Sequence, residues 1–143
     1  MRILQDETGF SEKQLVKKLG LDTFDKESIA NAIAELDSVI ETCVLSEIDI
    51  FIARKQNDMI LIRYLSDYDF ALYEPDLFNI LKCSTIHKAF ITRTKRAIER
   101  IAGNVLIVFM DSNYYETWLG VNDLDDSPEI RMTWARQQAV EIK

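Results

Sequence analysis

The chain has 143 residues and a formal net charge of −7, which fits one domain and disfavours generic nucleic-acid binding, where Lys and Arg must neutralise phosphates. Apolar residues make up 48%, enough to exclude a disordered chain, and a chain of this length needs neither metal nor disulfide to hold a core. With only four Gly and two Pro, no linker, internal repeat or low-complexity stretch divides residues 1–143, and a single domain is expected.

The charge is unevenly spread. Residues 1–50 carry eleven acids against five bases, residues 51–103 six against nine, and residues 104–143 seven against three. A basic middle thus lies between two acidic ends. Cys43 and Cys83 fall inside apolar patterns without CxxC spacing, so buried, reduced thiols are expected. The N-terminal MRILQDETGF lacks the apolar run of a signal peptide, and the longest apolar stretch, Val105 to Met110, is far short of a membrane span. These features predict a cytoplasmic location and no membrane partner.

In chain order, Ser11-Glu-Lys-Gln14 has the form of a capping box, opening a short helix that stops at Gly20. A second helix is predicted from near Asp25, with Ile29, Ile33, Leu36, Ile40 and Cys43 as its apolar stripe and Glu35, Asp37 and Glu41 off it. From Glu47 the period changes to two. Ile48, Ile50 and Ile52 alternate with Asp49, Phe51 and Ala53, Lys55 to Asp58 supplies turn residues, and Met59 to Leu65 is a second β-type run. The pair predicts an antiparallel hairpin. Phe70 to Tyr73 is a candidate third strand closed by Pro75, and Leu77 to Leu81 a helical turn. Ser84 is the expected N-cap of a long helix ending at Gly103, with Ile86, Phe90, Ala97, Ile98 and Ile101 on its apolar face. Asn104 to Met110 reads as a fully buried strand, with Tyr114 to Val121 as its antiparallel neighbour. Ser127-Pro128-Glu129 then combines a cap, a Pro at the first position and an acid in the first turn, so a last helix follows.

The expected fold class is therefore α+β. An antiparallel sheet of about five strands, with helices packed mainly on one face, follows from the order α-α-β-β-β-α-β-β-α. After the first helix that order is similar to the type III secretion chaperone-like fold, a group of small, acidic, often dimeric protein-binding domains.

Catalytic signatures are sparse. His87 is the one histidine and Cys43 and Cys83 the only thiols, so a zinc site or a Ser–His or Cys–His pair has little to draw on. No glycines are spaced to cradle a phosphate. Asp111-Ser-Asn113 begins like a calcium loop, but Tyr115 and Glu116 occupy the positions of a ligand and the required Gly. Asp123, Asp125 and Asp126 read as a solvated acidic turn. No catalytic residue, metal or cofactor is expected.

Glu47-Ile-Asp49-Ile-Phe-Ile-Ala-Arg, followed across a turn by Met-Ile-Leu-Ile-Arg63-Tyr-Leu65-Ser, resembles the metal-binding hairpin of the PD-(D/E)XK nuclease superfamily. The element order is similar to that superfamily's core over about residues 26–110. The chemistry of such a site needs an Asp on one strand and Asp/Glu-x-Lys on the next to hold Mg²⁺ and activate water. Asp49 matches the first position, but Arg63 replaces the carboxylate and Leu65 the lysine. The resemblance thus implies an inactive nuclease-like domain, binding nucleic acid through a basic helix.

Arg93, Arg96 and Arg100 share one face of that helix, with Lys88 and Lys95 nearby. The acidic N-terminal third is the first candidate to pair with them, within the chain or across subunits. Tyr114, Tyr115 and Trp118, with Trp134 further on, put an aromatic on both faces of the strand expected there, as in a core or a contact surface. The function expected is a non-enzymatic protein-binding module of chaperone, immunity or inhibitor type. It would act through an acidic surface on a partner protein with a basic surface, with Glu35, Asp37, Glu41, Arg93, Arg96, Arg100, Tyr114, Tyr115 and Trp118 as contact candidates. A homodimer is compatible with this reading.

Overall fold

The longest element is a helix of 29 residues, α3 (Lys26–Arg54), about 43 Å from end to end at 1.5 Å per residue. The computed structural model describes residues 2–54, 58–101 and 103–142. Ahead of α3 stand α1 (Ile3–Thr8) and α2 (Glu12–Lys18). After it come β1 (Asp58–Tyr64), α4 (Asp67–Tyr73), α5 (Pro75–Leu81), α6 (Ser84–Arg100), β2 (Asn104–Met110), α7 (Ser112–Asn122) and α8 (Pro128–Ile142). The protein is mostly helical, and the described residues form one two-stranded parallel sheet. This overturns the expected antiparallel sheet of about five strands.

Three segments account for the difference. Residues 47–54, expected as the first hairpin strand, continue α3. The alternation of Ile48, Ile50 and Ile52 is incidental, because Ile50 and Ile52 are exposed. The buried residues Ile33, Asp37, Ile40, Val44 and Phe51 instead recur at spacings of three, four and seven, which marks one helical face. The turn expected at residues 55–57 lies outside the described residues. Phe70 to Tyr73, expected as a strand, lies in α4, where Ser66 Oγ accepts from the Asp69 N–H. Pro75 opens α5 at its first position and does not close a strand. Tyr114 to Val121, expected as the neighbour of the buried strand, lies in α7, which starts where Asp111 Oδ1 accepts from the Asn113 N–H. In all three the local cap or helical stripe prevails over aromatic and β-branched strand preference.

Other expectations are met. The Ser11–Gln14 capping box is present in both directions, and the chain leaves α2 through Gly20 at φ +70°. Residues 104–110 form β2, but the strand is only partly buried, with Phe109 53% exposed where full burial is expected. Ser127 Oγ caps α8 by accepting from the Ile130 N–H. The cap of α6 moves back one residue, to Cys83.

β1 and β2 pair in parallel, Asp58 opposite Asn104 through to Tyr64 opposite Met110. Parallel neighbours need a long crossover, here α4, α5 and α6. Both faces of the sheet are covered. Leu61 and Val105 on one face pack with Phe51 of α3 and Ile91 and Ile98 of α6. Tyr64, Val108 and Met110 on the other belong to the main core with Tyr115, Trp134 and Ala135, and Ile60 and Ile62 pack against it.

Two polar contacts fix α1, which at six residues is too short to persist alone. The Leu4 N–H donates to Asp37 Oδ1 at 2.8 Å, and buried Glu7 receives Arg96 from α6. Asp37 therefore lies on the packed face of α3, not off the apolar stripe.

Candidate functional site

A cleft of about 680 Å³ opens beside β1, within the size range of ligand and peptide-side-chain sites. α3 contributes Glu47, Ile50, Phe51 and Arg54, and β1 contributes residues 58–62 and Tyr64. Glu74, at the junction of α4 and α5, adds a second carboxylate. His87, Phe90 and Ile91 come from α6, and Met132 and Arg136 from α8.

Helix periodicity explains why α3 puts a carboxylate there. Ile40, Val44, Glu47 and Phe51 follow at steps of four, three and four, so Glu47 occupies an apolar-stripe position. It is half-buried. Burial pushes the Glu47 carboxyl pKa up; the charge of Arg54, the next largest effect, opposes it, and the weaker charge of Glu74 adds to it. Among the described residues no Lys, Arg or His lies within ion-pairing distance of Glu47 or Glu74. Arg54, Asp58 and Arg136 are exposed, so Glu47 and Glu74 lie deeper than the two guanidinium groups that line the cleft. The buried guanidinium of Arg131 interacts with the Glu74 charge from outside the lining.

Tyr64 donates its hydroxyl to Glu74 Oε1 at 3.2 Å. Burial first, and then the Glu74 charge, push the phenol pKa far up, so its proton stays in place. His87 is enclosed by aromatic rings, with centroids at 4.3 Å for Phe70, 5.8 Å for Tyr64 and 6.0 Å for Phe90. Burial and the Arg63 charge lower its pKa to about 4. Its Nδ1 has no hydrogen-bond partner among the described residues. The cleft therefore offers apolar walls, two half-buried carboxylates, a phenol engaged with Glu74 and a neutral imidazole, with a third carboxylate, Asp58, and the guanidinium groups of Arg54 and Arg136 exposed at its lining. That combination suits a ligand carrying a cation on an apolar stem.

None of the nine contact candidates from the sequence lines this cleft. Glu35 is exposed on α3, Glu41 is half-buried, and Asp37 is occupied by Leu4. Arg93 and Arg96 both approach Glu7 Oε1, at 3.7 and 2.8 Å, which uses them to hold α1. Arg100 is exposed on a shallow groove of α6 shared with Lys95, Arg96 and Glu99. Tyr114 is 75% exposed, whereas Tyr115 is fully buried and donates to Asp126, which also accepts from Arg131. Trp118 stacks on Tyr115 and its Nε1–H donates to Gln137 Oε1 at 3.1 Å. Asp123, Asp125 and Asp126 are all exposed, as expected of a solvated turn, but Asp126 also serves as an acceptor for Tyr115 and Arg131. Cys43 and Cys83 are free and half-buried, and burial raises both thiol pKa values.

The strand–turn–strand that resembled a nuclease hairpin is not formed: Asp49 is exposed on α3, and β1 pairs with β2. Among the described residues no three His, Cys, Asp or Glu side chains converge as a metal site, and no helix is long and apolar enough to cross a membrane. No protein-family model matches the chain, and comparison with curated proteins finds no similar sequence.

Proposed function

We propose that the chain is a protein-binding module that engages a basic segment of a partner protein through the carboxylates of its cleft. The observation that carries this reading is Glu47, half-buried near Glu74 in a cleft whose lining arginines, Arg54 and Arg136, stay exposed, with no cation paired to it among the described residues. A partner Lys or Arg would supply a close ion pair that the more distant Arg54 does not, while its methylene stem would lie on Ile50, Ile60 and Met132. The exposed acids of α3, Glu35 among them, would favour encounter with a basic surface. Affinity capture with wild-type chain and with the Glu47→Gln/Glu74→Gln variant tests the proposal. A partner held by the wild type and lost by the variant supports it, and equal capture by both counts against it.

A second reading rests on the same pair of residues. Two carboxyl groups in one cleft, one with a raised pKa, are what acid–base hydrolysis requires. Glu47 would be the acid and Glu74 the base, and exposed Asp49 would take no part. Turnover of a hydrolase substrate panel, abolished by Glu47→Gln alone, would favour this reading over the first.

A further inference from the structure

We propose that the partner segment binds as an extended strand added to the free edge of β1, with one Lys or Arg side chain directed between Glu47 and Glu74. This rests on the reading of the cleft as a partner site and adds the conformation of what enters it. The argument comes from which residues line the cleft. Five consecutive residues of β1, 58 to 62, line it, and no residue of β2 does. Phe51 and Ile91 approach from one face of the sheet, and Met132 approaches from the other. A cavity that touches consecutive residues of one strand, and helices on both faces, lies at the strand's edge. It lies on the side away from β2.

That edge offers unused hydrogen-bonding groups. In a parallel ladder alternate residues turn both N–H and C=O away from the partner strand. Beyond the ladder to β2, no hydrogen bond of the described residues involves the backbone of 58–64. Edge groups of this kind are templates for an incoming strand. Four to five extended residues span about 13–16 Å, which matches the length of the β1 stretch along the cleft.

The charge and shape of the surroundings select the occupant. Glu47 and Glu74 lie deeper than the guanidinium groups that line the cleft, which favours a cationic side chain reaching inward. A second copy of this chain would bring residues of its own α3 and α8 beside its β1 edge, more bulk than a lone strand carries. A single extended segment has no flanking helices to accommodate.

The test uses the full chain and a displayed library of random nine-residue peptides. The expected consensus alternates apolar residues and contains one Lys or Arg. N-methylation of every second backbone amide of an enriched peptide should weaken binding at least tenfold in one register and less than twofold in the other. Amide exchange at Met59 to Ile62 should slow when the peptide binds. Replacing the basic residue with norleucine should cost about tenfold against the wild type and almost nothing against Glu47→Gln/Glu74→Gln. If N-methylation is harmless in both registers while the carboxylate variant still loses binding, strand addition is overturned and the cleft reading survives. If no peptide is enriched, or binding ignores the carboxylate variant, both fail. Dimerisation of the chain that protects β1 without peptide would also overturn the proposal.

Discussion

Arg96 Nη1 donates to Glu7 Oε1 at 2.8 Å, with the Glu7 side chain fully buried and the arginine side chain 49% exposed. This asymmetry sets the outcome of removing either partner. Arg96→Ala leaves a buried carboxylate with only Arg93 at 3.7 Å, a loss of roughly 2–3 kcal/mol after allowing for solvent at the guanidinium. Glu7→Gln returns a half-exposed arginine to water and keeps an acceptor in place, so its cost is about 1 kcal/mol or less. Urea denaturation of the two variants checks the order. Equal losses would mean that the bridge does not hold α1.

Gly103 sits where no side chain fits between Ile98 and Phe51. A Cβ there would stand 2.5 Å from Ile98 Cγ2 and 2.7 Å from Phe51 Cζ, both buried in the cluster under Leu61 and Val105. Gly103→Ala should therefore cost about 1–3 kcal/mol as overpacking. Phe51→Leu removes the ring atoms in the way, so the double variant should lose less than the two single losses combined. Strict additivity in thermal melts would show that the two residues do not share this space.

Much of the helical framework is legible in the sequence, because caps and breakers act locally. Ser11, Gln14, Gly20, Ser127 and Pro128 perform the roles their chemistry suggests. The strands are half legible. Continuous apolar runs mark 58–64 and 104–110, but nothing local says that they pair with each other, 46 residues apart in register. That pairing depends on three intervening helices returning the chain in parallel. Residues 47–54 are ambiguous because isoleucines at 48, 50 and 52 give a strand period while Val44, Glu47 and Phe51 continue the helical stripe, and packing of Phe51 against Gly103 favours the helix.

The site was less legible still. Glu47 and Asp37 are acids on the packed stripe of α3, and the signal was there in the steps Ile33, Asp37, Ile40, Val44, Glu47, Phe51. It becomes visible only when the helix is extended through residue 54. Glu74, His87 and Arg136 reach the cleft from three further segments, and no spacing in the chain connects them.

Asp37 shows how such a stripe acid can be structural. Asp37→Ala leaves the buried Leu4 N–H without its acceptor, a cost of about 1–3 kcal/mol that falls on α1. Asp37→Asn keeps an acceptor oxygen. Burial, the largest effect, raises the Asp37 pKa, while the Leu4 hydrogen bond opposes it. The folded state thus binds the proton more tightly than the unfolded one. This contribution to stability is full at low pH and is lost as pH rises through the folded pKa. The stability of Asp37→Asn relative to wild type should therefore rise between acidic and neutral pH. Denaturant midpoints across that range measure the difference, and a constant difference would show that the carboxyl titrates as it does in the unfolded chain.

His87 has the opposite sign. Its pKa falls from 6.5 to about 4 in the folded chain, by burial first and the Arg63 charge second. Above pH 6.5 both states hold it neutral and the full stability is present. As pH falls from 6.5 towards 4 the unfolded chain takes up a proton that the folded chain refuses, and stability is lost. The difference amounts to roughly 3 kcal/mol at the acid end of that window. His87→Phe keeps a ring among Tyr64, Phe70 and Phe90 and removes the unpartnered Nδ1. The variant should match the wild type within about 1 kcal/mol at pH 7 and exceed it by roughly 2–3 kcal/mol near pH 4. Arg63→Gln should remove part of the same acid loss, because it lifts the smaller of the two causes. If the gap between wild type and His87→Phe does not change with pH, the imidazole is not held neutral by its cage.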